Sequence, residues 1–296
     1  EAETDPLKDG DRLACQAKVE GDVRVDVPPE SVTGPQRAQI EGQERAVPHD
    51  PAVRAYEVHC PLPALDDLRA DATRVCDALR ERYGLDGLRP DISALKRMGP
   101  LMRREKGLVR PVVLEDEVIA FLPSGVSPLG LAVDLGTTKL AAYLVDLEKG
   151  EALGAAGRMN PQIAYGEDVM SRISYAMKGP DEAERLQEVL SEGVSSLARE
   201  LCEGCGRQTS EVLETVLAGN TCMHHLALGL PVEQLGLAPY VPALSDAFSV
   251  KSRNLGWPFA PGASAHFLPN IAGFVGGDHV AMLLATGLHE AEEVAL

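Results

Sequence analysis

Five consecutive residues, Asp134-Leu135-Gly136-Thr137-Thr138, sit between two apolar runs, Leu131–Val133 before them and Leu140–Val145 after Lys139. Backbone N–H groups converging from such a tight turn grip phosphates, because these donors need no desolvated cation. Gly136, Thr137 and Thr138 supply such donors and two hydroxyls besides. Gly136 puts no Cβ between the backbone and an anion. Asp134 closes the first run, where a carboxylate can orient a hydrated Mg²⁺, an ion that keeps several waters and takes one or two carboxylates. Lys139 adds charge, on the face opposite Thr138 if a strand resumes there. The competing account is an ordinary hairpin, in which Asp and Gly are common turn residues.

Other reactive side chains are less well placed. Asp278, in Gly-Gly-Asp-His-Val-Ala, stands at the start of a predicted helix, where a capping carboxylate is equally in place. Asn220 follows a predicted strand; its amide could reach a γ-phosphate or its attacking water, or simply cap the next helix. Cys202 and Cys205 form a lone Cys-x-x-Cys at a helix end, without the second pair a zinc site wants or the helix start a redox site wants. His224 and His225 are adjacent, so they face different ways on a helix and suit packing or hydrogen bonding better than one metal. There is no G-x-x-x-x-G-K-[ST] run, and Gly273, Gly276 and Gly277 do not make G-x-G-x-x-G.

The elements that must position these groups are readable from periodicity. Residues 131–134 and 140–145 read as an antiparallel pair, with residues 151–160 as a third strand and 211–220 as a fourth. Helices are predicted over Glu167–Lys178 and Asp181–Cys205, the second opened by a capping box of Asp181 and Glu184. Its buried stripe is Leu186, Val189, Val194, Leu197 and Leu201. A short helix follows Asn220, and residues 269–288 read as a strand, a glycine turn and a helix. Upstream, Leu65, Leu68, Ala72, Val75, Leu79 and Tyr83 recur at helical spacing up to Gly84, and a hairpin turns at Glu115-Asp116. Val19, Val23, Val25 and Val27 suggest a strand, and the Gly/Pro-rich text from Ser31 to Pro51 a linker. Strands alternating with helices predict an α/β layered fold.

The chain has 296 residues, 45% hydrophobic but only 4% aromatic, so its core must come mostly from Leu, Val and Ala. A formal net charge of -17 argues against nucleic acid and against an anionic membrane surface as partners. The first residues lack the cationic start and apolar core of a signal peptide, and no apolar run reaches spanning length. Six scattered cysteines fit a cytoplasmic protein with reduced or metal-bound thiols better than a disulfide framework.

The turn and its strands resemble the first phosphate motif of the superfamily of acetate and sugar kinases, heat-shock chaperones and actin (ASKHA). Three further blocks, residues 160–176, 218–229 and 267–281, narrow the resemblance to the reductive activators of corrinoid proteins. That resemblance implies an N-terminal 2Fe-2S ferredoxin domain, a linker, a small middle domain and an ATPase domain. The implied fold is the first lobe of an actin-like or ribonuclease H-like ATPase, a mixed sheet with flanking helices over 127–296. A small α/β middle domain over 52–126, a linker over 31–51 and the end of a ferredoxin domain over 1–30 precede it.

The same resemblance implies residue roles. Cys15 takes the place of the last 2Fe-2S ligand, while the upstream C-x₄-C-x₂-C run is not in this sequence. Asp134 holds Mg²⁺ through water; Gly136, Thr137, Thr138 and Lys139 bind ATP phosphates; Asp278 serves as base or orients the attacking water, with Asn220 beside it. The implied partners are a corrinoid protein and an external electron donor, and a homodimer is a further expected assembly. Neither the other cluster ligands nor a second phosphate motif follows in the text. The expectation is therefore a fragment cut at both ends, holding no stable cluster and hydrolysing ATP poorly. Two rival functions are a small-molecule kinase of the same superfamily and a nucleotide-binding interaction module without turnover.

Overall fold

Two sheets organise the residues described by the computed structural model, 48–290. The first is built from β1 (Val53–Ala55), β2 (Val58–His59), β3 (Arg89–Pro90), β4 (Leu108–Leu114) and β5 (Glu117–Leu122), in the order β1-β4-β5-β3 with β2 also on β4. The β4–β5 hairpin turns at Glu115-Asp116, as its sequence predicts, with Glu115 in the left-handed region at φ 54°. Helices α1 (Asp71–Tyr83) and α2 (Ile92–Arg104) flank this sheet.

Helix α1 ends at Gly84 as expected but starts later than the leucine periodicity suggests. Leu65 and Leu68 are 98% and 80% exposed in the loop before it. Arg74 explains the late start: its buried guanidinium donates to the carbonyls of Pro61, Asp67 and Arg69 and to the Asp67 carboxylate. Those loop carbonyls are satisfied by a side chain instead of a helical turn. Helix α2 went unread in the sequence because Gly99-Pro100 lies inside it.

The second sheet has the order β10-β11-β9-β6-β7-β8. Its strands are β6 (Leu129–Leu135), β7 (Lys139–Asp146), β8 (Glu151–Met159), β9 (Val212–Gly219), β10 (Phe248–Lys251) and β11 (Ser264–Phe267). The expected hairpin is present: β6 and β7 are antiparallel, with Leu131 opposite Leu144 and Asp134 opposite Ala141. β7 and β8 continue antiparallel, whereas β9 runs parallel to both β6 and β11. The protein thus has the predicted α/β fold, with mixed sheets and flanking helices.

Four helices belong to this part: α3 (Val169–Ala176), α4 (Pro180–Gly204), α5 (Thr221–Leu228) and α6 (Gly277–Thr286). In α4, Leu186, Leu190, Val194, Leu197 and Leu201 are buried, and the helix packs on β7 and β8. A Cβ at Gly193 would stand 2.9 Å from Leu140 Cδ1, which measures how close the helix comes to β7. Two expectations need correction here. The expected capping box at Asp181 is absent, because Pro180 opens the helix at N1 and leaves Asp181 in the first turn, where its charge suits the helix dipole. The strand expected within 269–288 lies earlier, at β11, and residues 268–276 form an irregular loop instead.

The two sheets share one core: Val53, Val112, Ile119 and Leu122 are packed continuously with Leu129, Leu131 and the α4 stripe. Polar contacts reinforce the join. Arg253 donates to both Asp91 oxygens at 2.9 and 3.0 Å, Lys251 pairs with Glu117, and Arg110 pairs with Glu148. No helix among the described residues is long and apolar enough to cross a membrane. Cys15, the predicted strand over Val19–Val27 and nearly all of the predicted linker lie outside the described residues.

Candidate functional site

Parallel pairing of β6 with β9 sets Leu135 beside Gly219, so the turns leaving both strands open at the same end of the sheet. Ligands gather at carboxyl ends of parallel strands, where loops and helix starts converge. The turn after β6 is Gly136-Thr137-Thr138. A Cβ on Gly136 would lie 2.2 Å from the Lys139 carbonyl oxygen, so only glycine closes this turn.

The carbonyls of the turn are held on its protein side. Asn160 Nδ2 donates to Gly136 O at 2.8 Å, Arg172 Nη2 donates to Thr137 O, and the Asn160 N–H donates to Thr138 O at 2.9 Å. The N–H groups of Thr137 and Thr138 donate to no described residue. A peptide unit is planar and trans, so a carbonyl pinned one way turns its N–H the other way. Two unused donors therefore point out of the turn, in a cradle that a Cβ at Gly136 would disrupt.

The turn after β9 begins α5. Asn220 is its N-cap, with Oδ1 accepting from Met223 N at 3.0 Å, and its Nδ2 donates to Thr137 Oγ1 at 3.0 Å. One side chain thus caps a helix and fixes the hydroxyl of the neighbouring turn. A third turn lies on the second: a Cβ at Gly276 would come within 2.5 Å of Thr221 N and 2.6 Å of Asn220 C. Gly277 opens α6, and Asp278 stands at its second position rather than at the N-cap, which is Gly276.

The electrostatics of this end are dominated by two carboxylates. Asp134 is exposed at the strand end, yet crowding around its carboxyl partly desolvates it, and this first and then the charge of Asp278 raise it above its ordinary pKa. The Asp134 carboxylate makes no hydrogen bond or ion pair with any described residue. Asp278 Oδ1 accepts from the His279 N–H at 2.8 Å and meets His279 Nδ1 at 3.0 Å. Two facing carboxylates with hydroxyls nearby form the donor set a hydrated dication takes. Lys139 alternates with Ala141, the cross-strand neighbour of Asp134, and so shares the Asp134 face of the sheet.

The structure thus gathers Asp134, Gly136, Thr137, Thr138, Lys139, Asn220 and Asp278 at one sheet end. Cys15 lies outside the described residues, and no group of three or more metal-binding side chains occurs among them. His225 is spoken for: its Nδ1 donates to Thr221 O at 2.7 Å while Nε2 accepts from Ala243 N at 2.9 Å, and burial lowers its pKa. Burial, then His225, lowers His224 to about 4. Burial likewise pushes the Cys202 thiol up to about 11, which makes it unreactive.

Asn160, Gln162 and Arg172 were missed in the sequence as single residues, although the block 160–176 contains them. One signal was available for Arg172, which occupies the buried face of α3 together with Ile173 and Ala176. A charged residue on an apolar helical face needs a reason.

Two family models match the chain: the RACo linker region over residues 42–127 and the RACo middle region over residues 129–291. The chain belongs to this family of reductive activators. A curated relative, the corrinoid activation enzyme RamQ of Eubacterium limosum, is 34% identical over 243 residues, covering 80% of this chain and 40% of the relative. Among solved structures, a reductive activator for corrinoid, iron-sulfur protein superposes with a TM-score of 0.74 at 31% identity, covering 86% of this chain and 41% of that one. The chain spans about two fifths of the length of both relatives.

Proposed function

We propose that this chain supplies the nucleotide-phosphate grip of an ATP-dependent reductive activator of a corrinoid protein. The observation that carries the reading is the turn at Gly136, with its two unused N–H donors beside the Asp134–Asp278 pair. The N–H groups of Thr137 and Thr138, with their hydroxyls, bind phosphate oxygens. Asn220 keeps the Thr137 hydroxyl in register with them.

Asp134 and Asp278 would hold a hydrated Mg²⁺ through its waters. When bound, that ion neutralises charge developing on the transferring phosphoryl group. Asp278 orients the attacking water. Nucleotide turnover shifts the population of the complex with the corrinoid partner, which requires only that nucleotide bind its states unequally. Cys15 would contribute one thiolate to a 2Fe-2S cluster completed by ligands outside this chain, and such a cluster, reduced by an external donor, would supply one-electron chemistry for the corrinoid cobalt. The names of the two relatives, both corrinoid activators, support this assignment over a small-molecule kinase.

The test is ATP hydrolysis, with and without a corrinoid protein, in a protein carrying this chain and the remaining length of its relatives. Asp134→Asn is expected to lower turnover by roughly 10²–10³, the loss typical of removing one preorganised electrostatic group. Nucleotide binding should fall less. Hydrolysis at the parent rate in the Asn variant would overturn the reading.

A further inference from the structure

Arg172 on α3 is fully buried. Its Nε donates to Gly166 O at 2.9 Å, Nη1 to Gln162 Oε1 at 3.1 Å and Nη2 to Thr137 O, while Nη1 also lies 3.1 Å from Met223 Sδ. Every one of these acceptors is uncharged. No carboxylate among the described residues pairs with it; Asp168, which acts on it from a distance, is engaged in capping α3 through Ser171 N.

The other buried arginines among the described residues differ in this respect, since Arg74 meets the Asp67 carboxylate at 2.7 Å and Arg110 pairs with Glu148. A buried charge without a counter-charge is strongly unfavourable unless something else compensates it. Gln162 is itself fully buried and donates to Leu186 O at 2.9 Å, so α4 fixes the fork from behind. The molecule thus holds a rigid, uncompensated cation directly behind the Thr137 peptide.

We propose that Arg172 is a positioning residue for the phosphates, resting on the reading of the turn given above. It pins the Thr137 carbonyl inward, which turns the Thr138 N–H outward through the same peptide unit, and its charge is balanced when an anion occupies the turn. Donation to the carbonyl also polarises that peptide, which strengthens its N–H as a donor.

The experiment uses the chain Glu1–Leu296 with inorganic tripolyphosphate as probe, titrated calorimetrically at two ionic strengths, with thermal melting in parallel. Arg172→Met fills the same volume without charge and is expected to weaken binding about tenfold or more, the scale of one charge-assisted contact. It should also flatten the salt dependence, a readout that a purely structural role would leave unchanged. Arg172→Lys keeps the charge without the fork, so its salt dependence should persist while affinity falls. A folded Met variant with the parent's affinity and salt slope would overturn the proposal. If the Met variant does not fold, the Lys variant decides, and parental affinity there would overturn it equally. Failure of the parent chain itself to bind tripolyphosphate would overturn the phosphate reading, and this inference with it.

Discussion

Asp134 burdens the ligand-free protein. Partial desolvation and the neighbouring Asp278 charge raise its carboxyl above the ordinary range, so the folded state disfavours the ionised form. For a carboxyl raised on folding, the penalty is absent at low pH. It grows as pH rises from the ordinary carboxylate value through the raised one. Asp134 is exposed, so solvent screens this opposition, and Asp134→Asn should melt only slightly higher than the parent at neutral pH, by no more than about 1–2 °C. Near pH 3 the two should melt together. Scanning calorimetry at both pH values checks this; equal melting at neutral pH would show that the two carboxylates do not oppose each other. The same residue thus lowers resting stability at the place where a dication would restore it, a common trade at functional sites.

At the scale of elements, α5 joins helix capping to the Gly136 turn through a single amide. Asn220→Asp keeps the cap acceptor for Met223 N but loses the donor to Thr137 Oγ1 and adds a charge facing the turn. It should melt within about 1 kcal/mol of the parent, because Asp caps as well as Asn. Tripolyphosphate affinity should nevertheless fall about tenfold or more, from repulsion and the lost donor. Melting and titration of one variant separate the two roles, and unchanged affinity would leave Asn220 a cap alone.

The elements also show what the sequence could carry. The turn from Asp134 to Thr138 was legible because its chemistry is contiguous and its strands alternate cleanly. The start of α1 was not, since Arg74 binds carbonyls up to thirteen residues away and no periodicity encodes that. Helix α2 was hidden by Gly99-Pro100, whose local signal says break while buried Ala94, Met98 and Met102 hold the helix together. Arg172 reaches Thr137 across 35 residues, and Asn160 reaches Gly136 across 24. Contacts of that span depend on the finished fold.

Over the whole described molecule, the first sheet and the end of the second sheet that carries the Gly136 turn are parts of one packed body. Asp91 caps α2 through Ser93 N and accepts from Arg253. Burial opposes its ionisation, but Ser93 and Arg253 together outweigh that and hold its pKa below the ordinary range. A carboxyl lowered on folding contributes stability above its ordinary pKa and loses it as pH falls toward the lowered one. Asp91→Ala should cost roughly 2–3 kcal/mol, combining a lost cap with a half-exposed ion pair. Denaturant melts at neutral pH test this, and the loss should shrink in acid. A single cooperative transition is expected in parent and variant alike, whereas two separated transitions would contradict a shared core.

The close approach at Gly262, where a Cβ would lie 1.9 Å from the Ile119 carbonyl oxygen, bears on how such a body transmits force. Backbone pressed on backbone leaves no room for sliding and no soft side chain to absorb a shear. If phosphate binds the Gly136 turn as proposed, a rotation begun there would carry the first sheet with it, since the seam at Gly262 does not slide.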